Sequence, residues 1–146
     1  MNWMNHKTVL VPFDYSDASI DGVRTALGMV ESHDQLRVVY VWPQLPELES
    51  LDALDDAIRE QRIRDSKAAI ADALQKAGVD ALKIDVLVGD PAHKIVEHAE
   101  ELGTDYIVIP SHGFSGLKRW FLGSVAERVV RHAKCPVLVL KGPRNC

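Results

Sequence analysis

From position 110 the chain reads Pro110-Ser111-His112-Gly113-Phe114-Ser115-Gly116-Leu117-Lys118-Arg119-Trp120-Phe121-Leu122-Gly123-Ser124. Gly113, Gly116 and Gly123 let a backbone turn with positive φ and come close to a ligand. Ser124-Val125-Ala126-Glu127 has the S-x-x-E form of a capping box, so a helix should open at Gly123-Ser124. A helix start offers unpaired N–H groups at the positive end of its dipole, which is chemistry suited to a phosphate. Gly113, Gly123, Ser124 and Val125 would give amides to it, and Ser124 a hydroxyl as well. His112 could donate to the same anion or act as a general base; an exposed loop histidine does neither. The sequence contains neither G-x-G-x-x-G nor G-x-x-x-x-G-K-[ST], so an ordinary dinucleotide site and a Walker-type site are unsupported.

The elements that must position these groups alternate in type. Residues 7–11, 36–41, 82–88, 106–109 and 137–140 read as strands, the last two as near-continuous apolar runs of the kind covered on both faces. Helices are expected from Ser16 or Asp17 to about residue 30 and over roughly 51–77, where Gly78 is the stop. Two more run from Asp90-Pro91 to about 102 and from Ser124 to about 133. Five strands and four helices in strict alternation predict right-handed βαβ units, a five-stranded parallel sheet and a doubly wound three-layer α/β/α sandwich. No repeat or linker divides the chain, so residues 1–146 are read as one domain. Ligands in such sheets bind beyond the carboxyl ends of the strands, where strand order reverses. Pro12-Phe13-Asp14, Val41-Trp42 and the loop after strand four should meet there.

Composition narrows the classes of function. The 146 residues are 47% hydrophobic and 26% charged, as in soluble globular chains. No apolar run approaches the ~20 residues of a membrane span, and the first residues show no signal peptide. Cys135 and Cys146 make no C-x-x-C pair, and the expectation is a reduced, cytoplasmic protein. A net charge of −4 argues against nucleic acid. Seven bases against one acid from Leu117 onward make a local positive end, which suits a small anion, although the same bases could be a solvated helix face. No Walker lysine, paired carboxylates or Ser-His-Asp order is present, so a regulator is expected rather than a rapid enzyme; slow hydrolysis or self-phosphorylation stays open. The six histidines show no metal-ligand spacing. A receiver domain shares the alternation, but Asp90 is better explained by the helix start at Pro91.

The loop resembles the signature of the universal stress protein family, G-x2-G-x9-G-[ST], in which the loop wraps an adenine nucleotide. Gly113, nine residues and then Gly123-Ser124 match its second half. Leu-Gly-Ser-Val-Ala-Glu, Cys-Pro-Val-Leu-Val-Leu and the N-terminal Val-Pro-Phe-Asp-Tyr-Ser are similar to the family as well, so the resemblance spans nearly the whole chain. It implies a Rossmann-like sheet of order 3-2-1-4-5 and an ATP-binding stress-response module, with Mg²⁺ or Mn²⁺ as companion ion. Val41 would present backbone atoms to the adenine edge and Ile109 would pack beneath base or sugar. Asp14 would accept from ribose hydroxyls or help hold the ion; alternatively it belongs to the Asp-Tyr-Ser turn. One position departs: Pro110 stands where the first signature glycine is expected, near the ribose, and it lacks an N–H. Strand five, short and apolar near the chain end, should be an edge strand that pairs with its copy in a homodimer, as the family implies. The competing expectation is a dimeric interaction protein of the same family that binds no nucleotide.

Overall fold

Short β-branched runs form strands, and the stretches between them helices, in the computed structural model, which describes residues 7–43, 56–80, 82–112 and 122–142. The strands are β1 (Val9–Pro12), β2 (Leu36–Pro43), β3 (Lys83–Gly89), β4 (Tyr106–Pro110) and β5 (Val137–Leu140). Between them run α1 (Asp17–Leu27), α2 (Asp56–Lys76), α3 (Pro91–Glu101) and α4 (Ser124–His132). A 3-10 turn, His33–Gln35, lies before β2 where the sequence reading placed none; Ser32 and Gln35 close it with a capping box. Helix α1 stops at Leu27, three residues short of the expected end, because the amide of Gly28 turns back to the carbonyls of the last turn. Residues 51–55, the expected first turn of α2, lie outside the described residues.

All pairings are parallel, and the order is β3-β2-β1-β4-β5, as the alternation and the resemblance predicted. Strand residues alternate between two cores. Val9, Val11, Val38 and Val108 face α1 and α2, where they meet Val23, Ala26, Ile70 and Leu74. Leu10, Val39, Val41, Ile107 and Ile109 face α3 and α4, against Ile95, Ala99, Ala126 and Val129. Each fully buried aliphatic side chain contributes roughly 1.5–3 kcal/mol, far more than helix propensity per residue, so it is these two apolar layers that hold helices on the sheet.

Strand order reverses between β1 and β4. Their ladder is short, covering only Val9↔Tyr106 and Leu10↔Ile107, whereas β2 and β3 pair over seven positions from Arg37↔Lys83 to Pro43↔Gly89. Beyond Leu10 and Ile107 the ladder stops, and the carboxyl ends of β1, β2 and β4 border one opening.

Candidate functional site

A cleft of about 320 Å³ lies at that opening. Its apolar walls are Val39, Val41, Ile95, Ile109 and Ala126, all from the core layer under α3 and α4. Its polar rim is Asp14, Ser19, Ser111, His112 and Ser124. Pro12, Asp14, Val41, Ile109, Pro110, His112, Gly123, Ser124 and Val125, nine residues picked out in the sequence, all line it. Gly113, the tenth, lies outside the described residues, as do Lys118 and Arg119. Sequence reasoning missed Ser19, Pro91, Ile95, Ser111 and Ala126 as lining residues. Pro91 and Ile95 were readable as one face of the α3 start; the sequence does not say that this face borders the same opening.

Asp14 belongs to the turn that opens α1, and it also faces the cleft. Its Oδ1 accepts from the Ser16 amide at 2.9 Å and from the Ser16 hydroxyl. Ser16 Oγ in turn accepts from the Ser19 amide at 3.1 Å, capping the helix. Oδ2 has no hydrogen bond among the described residues. Between them Tyr15 takes φ 67°, a left-handed value that costs a bulky residue strain. Edge-on contacts with Phe13 at 5.1 Å and Tyr40 at 5.2 Å hold its ring in place. Burial pushes the Tyr40 phenol above its usual range, and the nearby Asp14 charge adds to the shift.

The start of α4 corrects two expectations. Gly123, not Ser124, is the N-cap, and no side chain caps this helix. The Glu127 amide donates to the Gly123 carbonyl at 2.9 Å, which puts Ser124 at the first helical position, one residue too late to form the capping box. Glu127 instead pairs with Arg131. The amides of Ser124, Val125 and Ala126 are therefore left without helical acceptors. Gly123 has φ −57°, so its glycine character does not serve a positive φ. It serves space: the Gly123 amide donates to the Ser111 carbonyl at 2.6 Å, and a Cβ there would lie 3.1 Å from that oxygen. One backbone bond thus pins together the two ends of the loop between Ser111 and Gly123.

The ring of His112 accepts from or donates to Ser111 Oγ through Nδ1 at 3.0 Å, while its Nε2 is buried with no partner among the described residues. A buried polar atom left unpaired is costly unless a ligand or water meets it. The Pro110 ring approaches α1, its Cγ lying 3.5 Å from where a Cβ of Gly22 would sit, and Pro110 also lines the cleft. Among the described residues, three of the bases expected to make a positive C-terminal end, Arg128, Arg131 and Lys134, are paired with carboxylates. Arg128 makes a bidentate pair with Asp90 at 2.8 Å, and Lys134 meets Glu100 at 2.6 Å. Cys135 is a free thiol whose pKa burial raises, as expected of an inert cysteine.

A cleft bordered by uncapped helix amides and by a carboxylate has the chemistry to take a phosphorylated ligand that carries hydroxyls. The family model described as the universal stress protein family matches residues 5–141. Universal stress protein MJ0531 of Methanocaldococcus jannaschii is 33% identical over 96% of this chain and 85% of its own length. Among solved structures, UspA of Lactobacillus plantarum is 27% identical with a TM-score of 0.70, over 93% of this chain and 98% of that one. A universal stress protein solved in complex with cAMP is 26% identical with a TM-score of 0.58, over 93% and 97%. No described helix is long and apolar enough to cross a membrane. From its sequence and its sheet alike, this chain belongs to the universal stress protein family.

Proposed function

We propose that residues 1–146 form one domain whose cleft binds an adenine nucleotide, ATP, and that the protein acts as a nucleotide-responsive regulator rather than a fast catalyst. The observation that carries this reading is the uncapped start of α4, whose first-turn residues line the same cleft as Asp14. Gly123, Ser124 and Val125 would hold phosphate oxygens, Asp14 the ribose, and Val41 and Ile109 the base. His112, whose Nε2 has no partner among the described residues, would give the ligand a further polar contact. The family member solved with cAMP supports an adenine nucleotide in this fold. No three His, Cys, Asp or Glu side chains cluster to hold a metal among the described residues, so Mg²⁺ or Mn²⁺ would enter with the phosphates.

The proposal extends to a cytoplasmic homodimer joined through β5. The two sheet edges differ in protection: β3 carries Lys83 and an inward Asp85, held by Arg37 at 3.1 Å and His98 at 2.7 Å, whereas β5 carries no charge and leaves Leu138 39% exposed. Inward charges and lysines guard an edge against pairing, and β5 has neither. Native mass spectrometry of protein purified without added nucleotide tests both parts. We expect a dimer carrying an adenine nucleotide, and a melting shift worth roughly 2.7 kcal/mol when ATP exceeds its dissociation constant a hundredfold. Bare chains with no shift at millimolar ATP would favour the interaction protein that binds no nucleotide. A monomer at micromolar concentration would remove the β5 interface.

A further inference from the structure

Four aromatic side chains stand in a row on the α1 and α2 side of the sheet. Phe13, Tyr40 and Trp42 belong to that core layer, Tyr40 and Trp42 on one face because they are two apart on β2. Tyr15 joins them from the turn before α1, with its backbone at φ 67°, a left-handed value that strains a bulky residue. Ring centroids are 5.1 Å apart from Phe13 to Tyr15, 5.2 Å from Tyr15 to Tyr40 and 6.4 Å from Tyr40 to Trp42, every pair edge-on. The far end is fastened to α2, where the Trp42 indole N–H donates to Ser66 Oγ at 3.0 Å. Tyr40 and Trp42 are half-buried, whereas Tyr15 is 37% exposed. Packing alone would be served by phenylalanine at each position. Three of the four rings are instead an indole and two phenols, the aromatic side chains that give up an electron most readily.

We infer that Trp42, Tyr40 and Tyr15 form a chain that carries one-electron oxidation from the half-buried indole to the exposed phenol, so that Tyr15 is where small oxidising radicals modify this protein. This is independent of the nucleotide reading. In the first step a diffusing radical takes one electron from the Trp42 indole and is itself reduced. An electron from Tyr15 then refills Trp42 across Tyr40, over rings in contact, where electron tunnelling is fast. The Asp14 carboxylate acts on the Tyr40 phenol, and a negative charge there stabilises the positive hole as it crosses that ring. Tyr15 hands its phenolic proton to water and is left a neutral phenoxyl radical. At neutral pH a phenol that has lost both proton and electron lies lower in energy than the oxidised indole, so the hole stays there. A soluble thiol that gives up a hydrogen atom restores Tyr15 and becomes a thiyl radical. Without one, Tyr15 radicals of two chains couple through one new carbon–carbon bond, and both rings tautomerise back to phenols.

Pulse radiolysis with azide radical, which oxidises indoles much faster than protonated phenols at neutral pH, tests this on the wild-type protein. The tryptophanyl absorption is expected to decay while the tyrosyl absorption grows, at a rate independent of protein concentration. Peptide mass spectrometry without added thiol should then find tyrosine–tyrosine cross-links at Tyr15. Trp42→Phe should lose most of that Tyr15 product, and Tyr15→Phe should lose the cross-link and gain oxygenated Trp42. An equal Tyr15 yield in Trp42→Phe would mean that exposure alone decides where oxidation lands, and would overturn the chain. Absence of tyrosyl growth in the wild type, or growth whose rate scales with protein concentration, overturns it as well. Should Trp42→Phe not fold, Tyr40→Phe removes the middle phenol and keeps its ring, and the Tyr15 yield is read in the same way.

Discussion

Two helices begin beside the same cleft, and they spend their first amides differently. At α3, Asp90 accepts from the His93 amide at 3.0 Å, and Pro91 at the first position has no amide to satisfy. Asp90 also carries a negative charge and holds Arg128. At α4, Gly123 offers no side chain, and the first three amides lack helical acceptors. An anion at α3 would compete with a built-in carboxylate, while at α4 no side chain caps the first-turn amides. Position on the fold makes both starts candidates; the cap residue decides which one is open to a ligand.

The sharpest way to break the contrast is to give Gly123 a side chain. Gly123→Val puts a Cβ 3.1 Å from the Ser111 carbonyl, in a place walled by backbone that cannot swing aside. We expect nucleotide binding to be lost and the unliganded protein to lose roughly 1–3 kcal/mol, from overpacking and from the strained loop closure. Calorimetric melting with and without ATP reads both effects, and a variant that melts like wild type would show that the loop base is looser than its 2.6 Å bond implies. A milder change separates ligand from fold. Ser124→Asp places a negative charge on an exposed first-turn position, which favours the helix dipole by about 0.3–1 kcal/mol. The same charge repels a phosphate, so ATP affinity should fall at least about tenfold while the melting temperature holds or rises. If affinity is unchanged, the anion does not sit at α4.

Strand and helix order were legible because each segment states its own type. Apolar runs of four to seven residues and capped helix starts at Ser16 and Asp90 need no distant information, and the parallel sheet follows from their alternation. The site was legible in part for the same reason, since glycines, Asp14 and the loop after β4 all fall at strand ends. What stayed hidden depends on spatial pairing. That Gly123 must clear the Ser111 carbonyl, that Arg128 is taken by Asp90, and that the Pro110 ring approaches Gly22 of α1 are contacts between elements, with no local signature in the chain. The capping box at Ser124 failed for a subtler reason: S-x-x-E describes two registers, and the loop-closing bond to Ser111 selects the one that starts at Gly123.

The smallest expected effect comes from converting the α3 start into a copy of the α4 start. Asp90→Ala removes a cap, which costs about 1 kcal/mol, while the half-exposed pair with Arg128 adds little to that. The Arg128 guanidinium, followed by the His93 amide, holds the Asp90 carboxyl below its ordinary value of 3.8. A carboxyl depressed in the folded state stabilises above its ordinary pKa, and that contribution is lost as pH falls through the lower folded value. Wild-type melting temperature should therefore carry an Asp90 component that disappears below about pH 4, and Asp90→Ala should show a flatter profile in that window. ATP affinity should stay within about twofold, because the amides freed at α3 lie beside Pro91, which donates none. A large gain in ATP affinity on uncapping α3 would instead mean that either helix start can hold the phosphate, and that the carboxylate at position 90 is what directs it to α4.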